Sequence, residues 1–130
     1  MARKTRVVNW LLVALGGSLG AVCRYALDKS IGGELGSTLL GTFTANISGS
    51  LLLGIFMGIA SARVGWPQSY NLLIAVGFCG SFTTFSTVTV ASIKIMEDGD
   101  YLKALLNVGG SVFVGLIAAF LGLWIGRHAF

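Results

Sequence analysis

Ser69-Tyr-Asn-Leu-Leu-Ile-Ala-Val-Gly77-Phe-Cys-Gly80-Ser-Phe-Thr83-Thr84-Phe85-Ser-Thr87-Val88-Thr89-Val-Ala-Ser-Ile-Lys94-Ile-Met96 is the stretch on which the reading of this chain turns. It carries one charge, at Lys94, in 28 residues. As one straight α-helix it would measure about 42 Å, against about 30 Å for the hydrocarbon core of a bilayer. Tilt absorbs such an excess, and so does a break. The composition chooses the place for a break: Gly77 and Gly80 precede Ser81, Thr83, Thr84, Ser86, Thr87 and Thr89, six hydroxyls within nine residues. Such a run offers its hydroxyls to nearby backbone groups, which is how interrupted helices are tolerated at membrane depth. The alternative is a straight helix whose hydroxyls bond back to the preceding turn.

Three further apolar stretches flank this one, giving an all-α chain of four expected spans, at about Val7–Leu27, Thr38–Ala62, Ser69–Met96 and Leu102–Ile125. The connections expected between them, Lys29–Gly36, Arg63–Gln68 and Glu97–Tyr101, are too short for a soluble domain. The 130 residues therefore read as a single four-span domain, and the first span, lacking a cleavage pattern, as no removed signal peptide. Composition agrees, with 55% hydrophobic residues, 19 glycines, 11% charged residues and a mean hydropathy of +0.84. So little polar surface excludes a soluble enzyme, a disordered chain and a nucleic-acid module. The net charge of +4 is spread along the chain with no aromatic-basic stripe, so nucleic acid is not an expected partner.

Trp10, Tyr25, Trp66, Tyr70, Tyr101 and Trp124 fall at the expected span ends, where amphipathic rings sit at headgroup level. Orientation is almost undetermined by charge. The tails and second connection carry five basic residues (Arg3, Lys4, Arg6, Arg63 and Arg127), and the opposite side carries four (Arg24, Lys29, Lys94 and Lys103). Either the basic N-terminus holds one orientation, or the chain inserts both ways and pairs antiparallel. Small residues recur every fourth position at Gly16 and Gly20, at Ser50, Gly54 and Gly58, at Ser111 and Gly115, and at Ala118, Gly122 and Gly126, making smooth stripes for helix packing. Four helices so packed leave little lumen, so a homodimer is expected. Cys23 and Cys79 have no ligand or redox spacing and read as small buried hydrophobes.

The segment Gly77-Phe-Cys-Gly-Ser-Phe-Thr-Thr-Phe-Ser-Thr87 resembles the signature of the Fluc/CrcB family of fluoride channels. Gly16-Gly-Ser-Leu-Gly-Ala-Val-Cys-Arg-Tyr25 is similar to the family's first-span motif, and Gly41-Thr-Phe-Thr-Ala-Asn46 with Ser48, Gly49 and Ser50 to its second. The likeness covers nearly the whole chain. It implies an antiparallel, dual-topology homodimer with two fluoride pores, a broken third helix and a structural Na⁺ on the dimer axis, in the bacterial cell membrane. Transferred to this sequence, the backbone carbonyls of Gly80 and Thr83 would hold the Na⁺. Asn46 and Phe85 would contact fluoride, with Thr87, Val88, Asn107 and Ser111 along the path and Arg24 in a vestibule. Val88 stands where the family usually has a second phenylalanine, and Gly115 and Ala119 where hydroxyls often continue the track.

Passive fluoride export is then the expected function, without enzymatic activity; no nucleotide motif is present. A proton-coupled multidrug antiporter of the same size would need a titratable group within the membrane. Asp28, Glu34, Glu97, Asp98 and Asp100 are all expected in connections, which speaks against that alternative. A structural subunit of a larger membrane complex is the third reading.

Overall fold

The computed structural model describes the backbone of residues 2–35 and 38–129, and the side chains of residues 5–32 and 39–129. Among them there is no strand. Helix α1 runs Ala2–Leu35 and α2 Thr38–Ala62. The third stretch comprises α3 (Gln68–Tyr70), a π-helix (Asn71–Cys79), α4 (Gly80–Phe82) and α5 (Phe85–Glu97), and α6 (Tyr101–His128) completes the chain. Thr5–Gly32, Leu39–Ala62, Gln68–Glu97 and Tyr101–His128 are each long and apolar enough to cross a membrane.

Helix α1 continues through residues expected as the first connection. Asp28–Leu35 contains no proline, and its two glycines, Gly32 and Gly33, cost a helix only about 1 kcal/mol each, too little to stop one already formed. The extension places Asp28 on a helix, against the expectation that every acid lies in a connection. It is half-buried beside Gly41 of α2, and its Oδ1 has no hydrogen-bond partner. Glu97 is likewise helical, as the last residue of α5. The side chains of Arg3, Lys4 and Glu34, and Gly36 altogether, lie outside the described residues.

The other turns follow local chemistry. Gly65 and Gly99 take positive φ of 76° and 85°, in the left-handed region that glycine enters without steric cost. Asp100 then caps α6, its carboxylate accepting from the Lys103 amide at 3.1 Å. Trp66 meets Phe56 and Tyr70 edge-on, with both centroid distances 5.5 Å, and its indole N–H donates to Asn71 Oδ1. This aromatic cluster marks one membrane interface.

Two backbone-to-backbone seams join the spans. Helix α2 packs most extensively on α6, and α1 on the π-helix. A methyl group added at Gly54 would fall on the Ala119 carbonyl, and one at Gly122 on the Leu51 carbonyl. Gly16 and Gly20 meet the Leu73 and Phe78 carbonyls in the same way. The small-residue stripes are thus consumed mainly within the chain, which brings the backbones into the contact that lipid-solvated helices need for packing. The outward faces are apolar, including Leu11, Leu15 and Leu19 on α1 and Leu105, Phe113, Leu116 and Phe120 on α6.

Within the third span, the Gly80 amide reaches the Ala75 carbonyl five residues back, the wider winding of a π-helix. After Phe82 the backbone turns extended, with φ/ψ of −91°/155° at Thr83 and −151°/124° at Thr84.

Candidate functional site

The segment Ser81–Thr84 is held by bonds from three elements. Thr83 turns back on the π-helix, its amide and hydroxyl donating to the Cys79 carbonyl at 3.1 and 2.9 Å. Asn46 reaches across from α2. Its Nδ2 donates to the Thr84 carbonyl at 2.9 Å, and its Oδ1 accepts from the Thr84 amide at 2.7 Å. From α1, Arg24 Nε donates to the Ser81 carbonyl at 3.1 Å. Thr84 is also the N-cap of α5, its Oγ1 accepting from the Thr87 amide at 3.4 Å.

These bonds leave specific carbonyls over. In an uninterrupted α-helix the Thr84 amide would close on Gly80 and the Thr87 amide on Thr83. Both amides donate elsewhere, so the Gly80 and Thr83 carbonyls lack their helical donors. Gly80 is exposed, and a methyl group on it would approach only the Ala75 carbonyl, at 3.7 Å. Spare carbonyl oxygens are the donors a hard cation takes, so this pair fits Na⁺ chemically. Among the described residues no group of three or more His, Cys, Asp or Glu is placed to hold a metal.

Beside the extended pair lies a cavity of about 220 Å³. Asn46 and Ser50 of α2 wall one side, Thr83, Thr84, Phe85 and Val88 the second, and Ser111 of α6 the third. No charged side chain lines it. Its electrostatics come from dipoles: the 13-residue α5 begins at Phe85, on the cavity wall, and the positive end of a helix dipole favours an anion. Ser111 Oγ is buried with no partner, a hydroxyl free to donate. Asn46 keeps a second Nδ2–H beyond the one given to Thr84. Phe85 is 70% exposed in the single chain, at the cavity's edge, whereas Val88 is buried.

Of the residues named from sequence, Asn46, Thr83, Phe85, Val88 and Ser111 therefore share one cavity. Thr87 lines a neighbouring hollow of about 390 Å³ with Ser86 and Lys94. Asn107 lies off the first cavity, donating to Ser92 Oγ at 2.9 Å and to the Val88 carbonyl at 3.4 Å, where it clamps α5 to α6. Arg24 sits eleven residues before the end of α1, bound to the Ser81 carbonyl and outside the cavity lining. Gly80 lines no part of the cavity.

Three participants were not named from sequence as site residues. Ser50 follows Asn46 by four residues on the same helix face, a spacing that pointed to it. Thr84 is a hydroxyl just before an apolar helix, the usual signature of an N-cap. Ser92, buried on α5, carried no local signal, because its partner Asn107 is 15 residues away.

Residues 11–123 match the family model described as CrcB-like protein, Camphor Resistance (CrcB). A Magnetococcus marinus protein named fluoride-specific ion channel FluC is 40% identical over 116 residues, 88% of this chain and 94% of its own length. A Sulfurihydrogenibium protein of the same name is 37% identical over 120 residues, covering 92% and 97%. FluC 2 of Mycobacterium tuberculosis, also named a fluoride-specific ion channel, is 40% identical over 122 residues, 93% of each.

Proposed function

The chain belongs to the CrcB-like family, and from that membership we infer that it is a fluoride-specific ion channel of the bacterial cell membrane, multi-pass and not an enzyme. The observation that carries this reading is near-full-length similarity, at about 40% identity, to proteins named for that activity. The cavity chemistry supports it. Fluoride leaves water only where donors replace its hydration shell, and the Ser111 hydroxyl, the spare Asn46 N–H and the Phe85 end of α5 line the same cavity. Phe85 adds the positive edge of its ring quadrupole. These groups carry partial charge only, so they can bind a small anion without trapping it. Flux is then passive, driven by the membrane potential and the fluoride gradient, and lowers cytoplasmic fluoride.

Finer features form part of the same proposal. The whole chain acts as one four-span domain, and two copies assemble as an antiparallel homodimer. The five-to-four split of basic residues supports insertion in both orientations, and the apolar outer faces leave surface for a second copy. The extended Thr83–Thr84 pair acts as the break in the third span. The carbonyls of Gly80 and Thr83, from both copies, would hold a structural Na⁺ that neutralises their dipoles at the dimer axis. Arg24, with one guanidinium N–H fixed on Ser81, gathers anions through its remaining donors. Thr87 and Asn107 continue the path beyond Phe85 and Val88.

Proton-coupled drug antiport is the weaker alternative, now because of the family match rather than because every acid lies in a connection. A purely structural subunit would predict no flux. Expression in a bacterium stripped of its own fluoride exporters should restore growth at fluoride concentrations that arrest the parent strain. Growth no better than the parent would contradict fluoride export.

A further inference from the structure

The carboxamide of Asn46 is held in one orientation. Thr84 offers its amide as donor and its carbonyl as acceptor, so the oxygen must face the amide (2.7 Å) and the nitrogen the carbonyl (2.9 Å). The side chain therefore mimics a neighbouring peptide group, binding both backbone groups of one residue within the third span. The bond to the amide is the more consequential of the two. It takes the one N–H that would otherwise continue the helix onto the Gly80 carbonyl. Thr84 cannot supply this restraint itself, since its hydroxyl is occupied with the Thr87 amide and lies within hydrogen-bond distance of Ser86 and Thr87.

We propose that Asn46 is the positioning residue that keeps the third span open: by sequestering the Thr84 amide it leaves the Gly80 carbonyl free for a cation, and the same bonds aim its second N–H into the anion cavity. One side chain thus couples the two ion-binding environments through the extended dipeptide. The role is distinct from fluoride contact, and its cation half rests on the reading that Na⁺ is held by the Gly80 and Thr83 carbonyls.

Two substitutions separate positioning from anion contact. Asn46→Ala removes the acceptor for the Thr84 amide, which can then close on Gly80. Asn46→Asp keeps an acceptor in either protonation state while losing the amide donors. The readout is the thermal unfolding midpoint of the purified, detergent-solubilised protein as Na⁺ replaces N-methylglucamine at constant ionic strength, with fluoride efflux from proteoliposomes measured in parallel. In the wild type the midpoint should rise with Na⁺. Asn46→Ala should raise the Na⁺ concentration at half-effect by about tenfold or more, the size of one recovered backbone hydrogen bond in each copy. Asn46→Asp should keep the wild-type half-effect concentration within about threefold and still lose fluoride efflux, because hydrogen-bond donation and Na⁺ dependence are then uncoupled. A wild-type Na⁺ response in Asn46→Ala, or an Asn46→Asp response shifted as far as that of Asn46→Ala, overturns the positioning role. A flat wild-type curve overturns the Na⁺ reading itself, and with it the cation half of the proposal.

Discussion

Gly122→Val is expected to abolish the folded protein. A Cβ at Gly122 would land on the Leu51 carbonyl and stand 2.9 Å from the Ile55 amide nitrogen, both backbone atoms of α2. Backbone cannot rotate aside as a side-chain tip can, so α2 and α6 must move apart along their most extensive interface. Gly54, whose own added Cβ would meet the Ala119 carbonyl, would lose its fit at the same time. Overpacking a rotatable core commonly costs about 1–3 kcal/mol, and a backbone collision at the centre of a seam costs more, a large share of a typical 5–15 kcal/mol of stability. Size-exclusion chromatography in detergent should show aggregate in place of the wild-type peak. Gly109→Ala is the control on the same helix, since nothing lies within 4 Å of a Cβ there. It should purify normally, with a neutral or slightly raised melting point, because alanine is favoured over glycine in a helix by about 1 kcal/mol. A monodisperse Gly122→Val protein melting with the wild type would disprove the α2–α6 seam.

Phe85→Ile is expected to leave the fold intact and lower fluoride efflux by about tenfold. The ring is 70% exposed in the single chain, so its loss opens no interior void. What disappears is the polarised ring edge at the cavity mouth. Aromatic quadrupole contacts are worth about 0.5–1.5 kcal/mol, and 1.4 kcal/mol corresponds to tenfold in rate or affinity. The effect should be large here because Val88, the next apolar residue along the cavity, offers no second ring to share the task. Efflux per reconstituted protein is the measurement, with the elution profile checking the fold. Wild-type efflux from Phe85→Ile would remove the ring from the permeation path.

Much of the architecture was legible from where the charges fall. Lys94 alone interrupts Ser69–Met96, and a stretch with one charge in 28 residues leaves few alternatives to a membrane span. Within the hydroxyl run from Ser81 to Thr89, Thr83 and Thr84 have extended backbone, and serine and threonine can satisfy backbone groups that a helix would otherwise satisfy itself. Features set by tertiary contact were not legible. The π-helix at Asn71–Cys79 has an ordinary apolar composition and packs against the Gly16 and Gly20 face of α1, a contact no local pattern announces. The extension of α1 past Leu27 was missed because glycines and a lysine look like a loop when their cost is judged locally.

The candidate site shows the same division. Asn46, Phe85 and Ser111 were named through motif likeness, and they line one cavity. Nothing local indicated that the Asn46 carboxamide would be bound to Thr84, 38 residues away, or that Asn107 would be committed to Ser92. Pairings of this kind depend on which helix faces meet. Ser111 could be recognised as a small polar residue on an apolar helix, whereas its lack of any partner emerged only once its neighbours were in place.

The central claim, that this chain conducts fluoride selectively, is tested most directly by reconstituting purified protein in liposomes loaded with fluoride in one set and chloride in another. A K⁺ ionophore clamps the potential, and ion-selective electrodes follow efflux. Fluoride should empty rapidly from protein-containing vesicles while chloride stays trapped, as in protein-free controls. Chloride leaving as fast as fluoride, or neither ion leaving from vesicles shown to contain folded protein, would contradict the account.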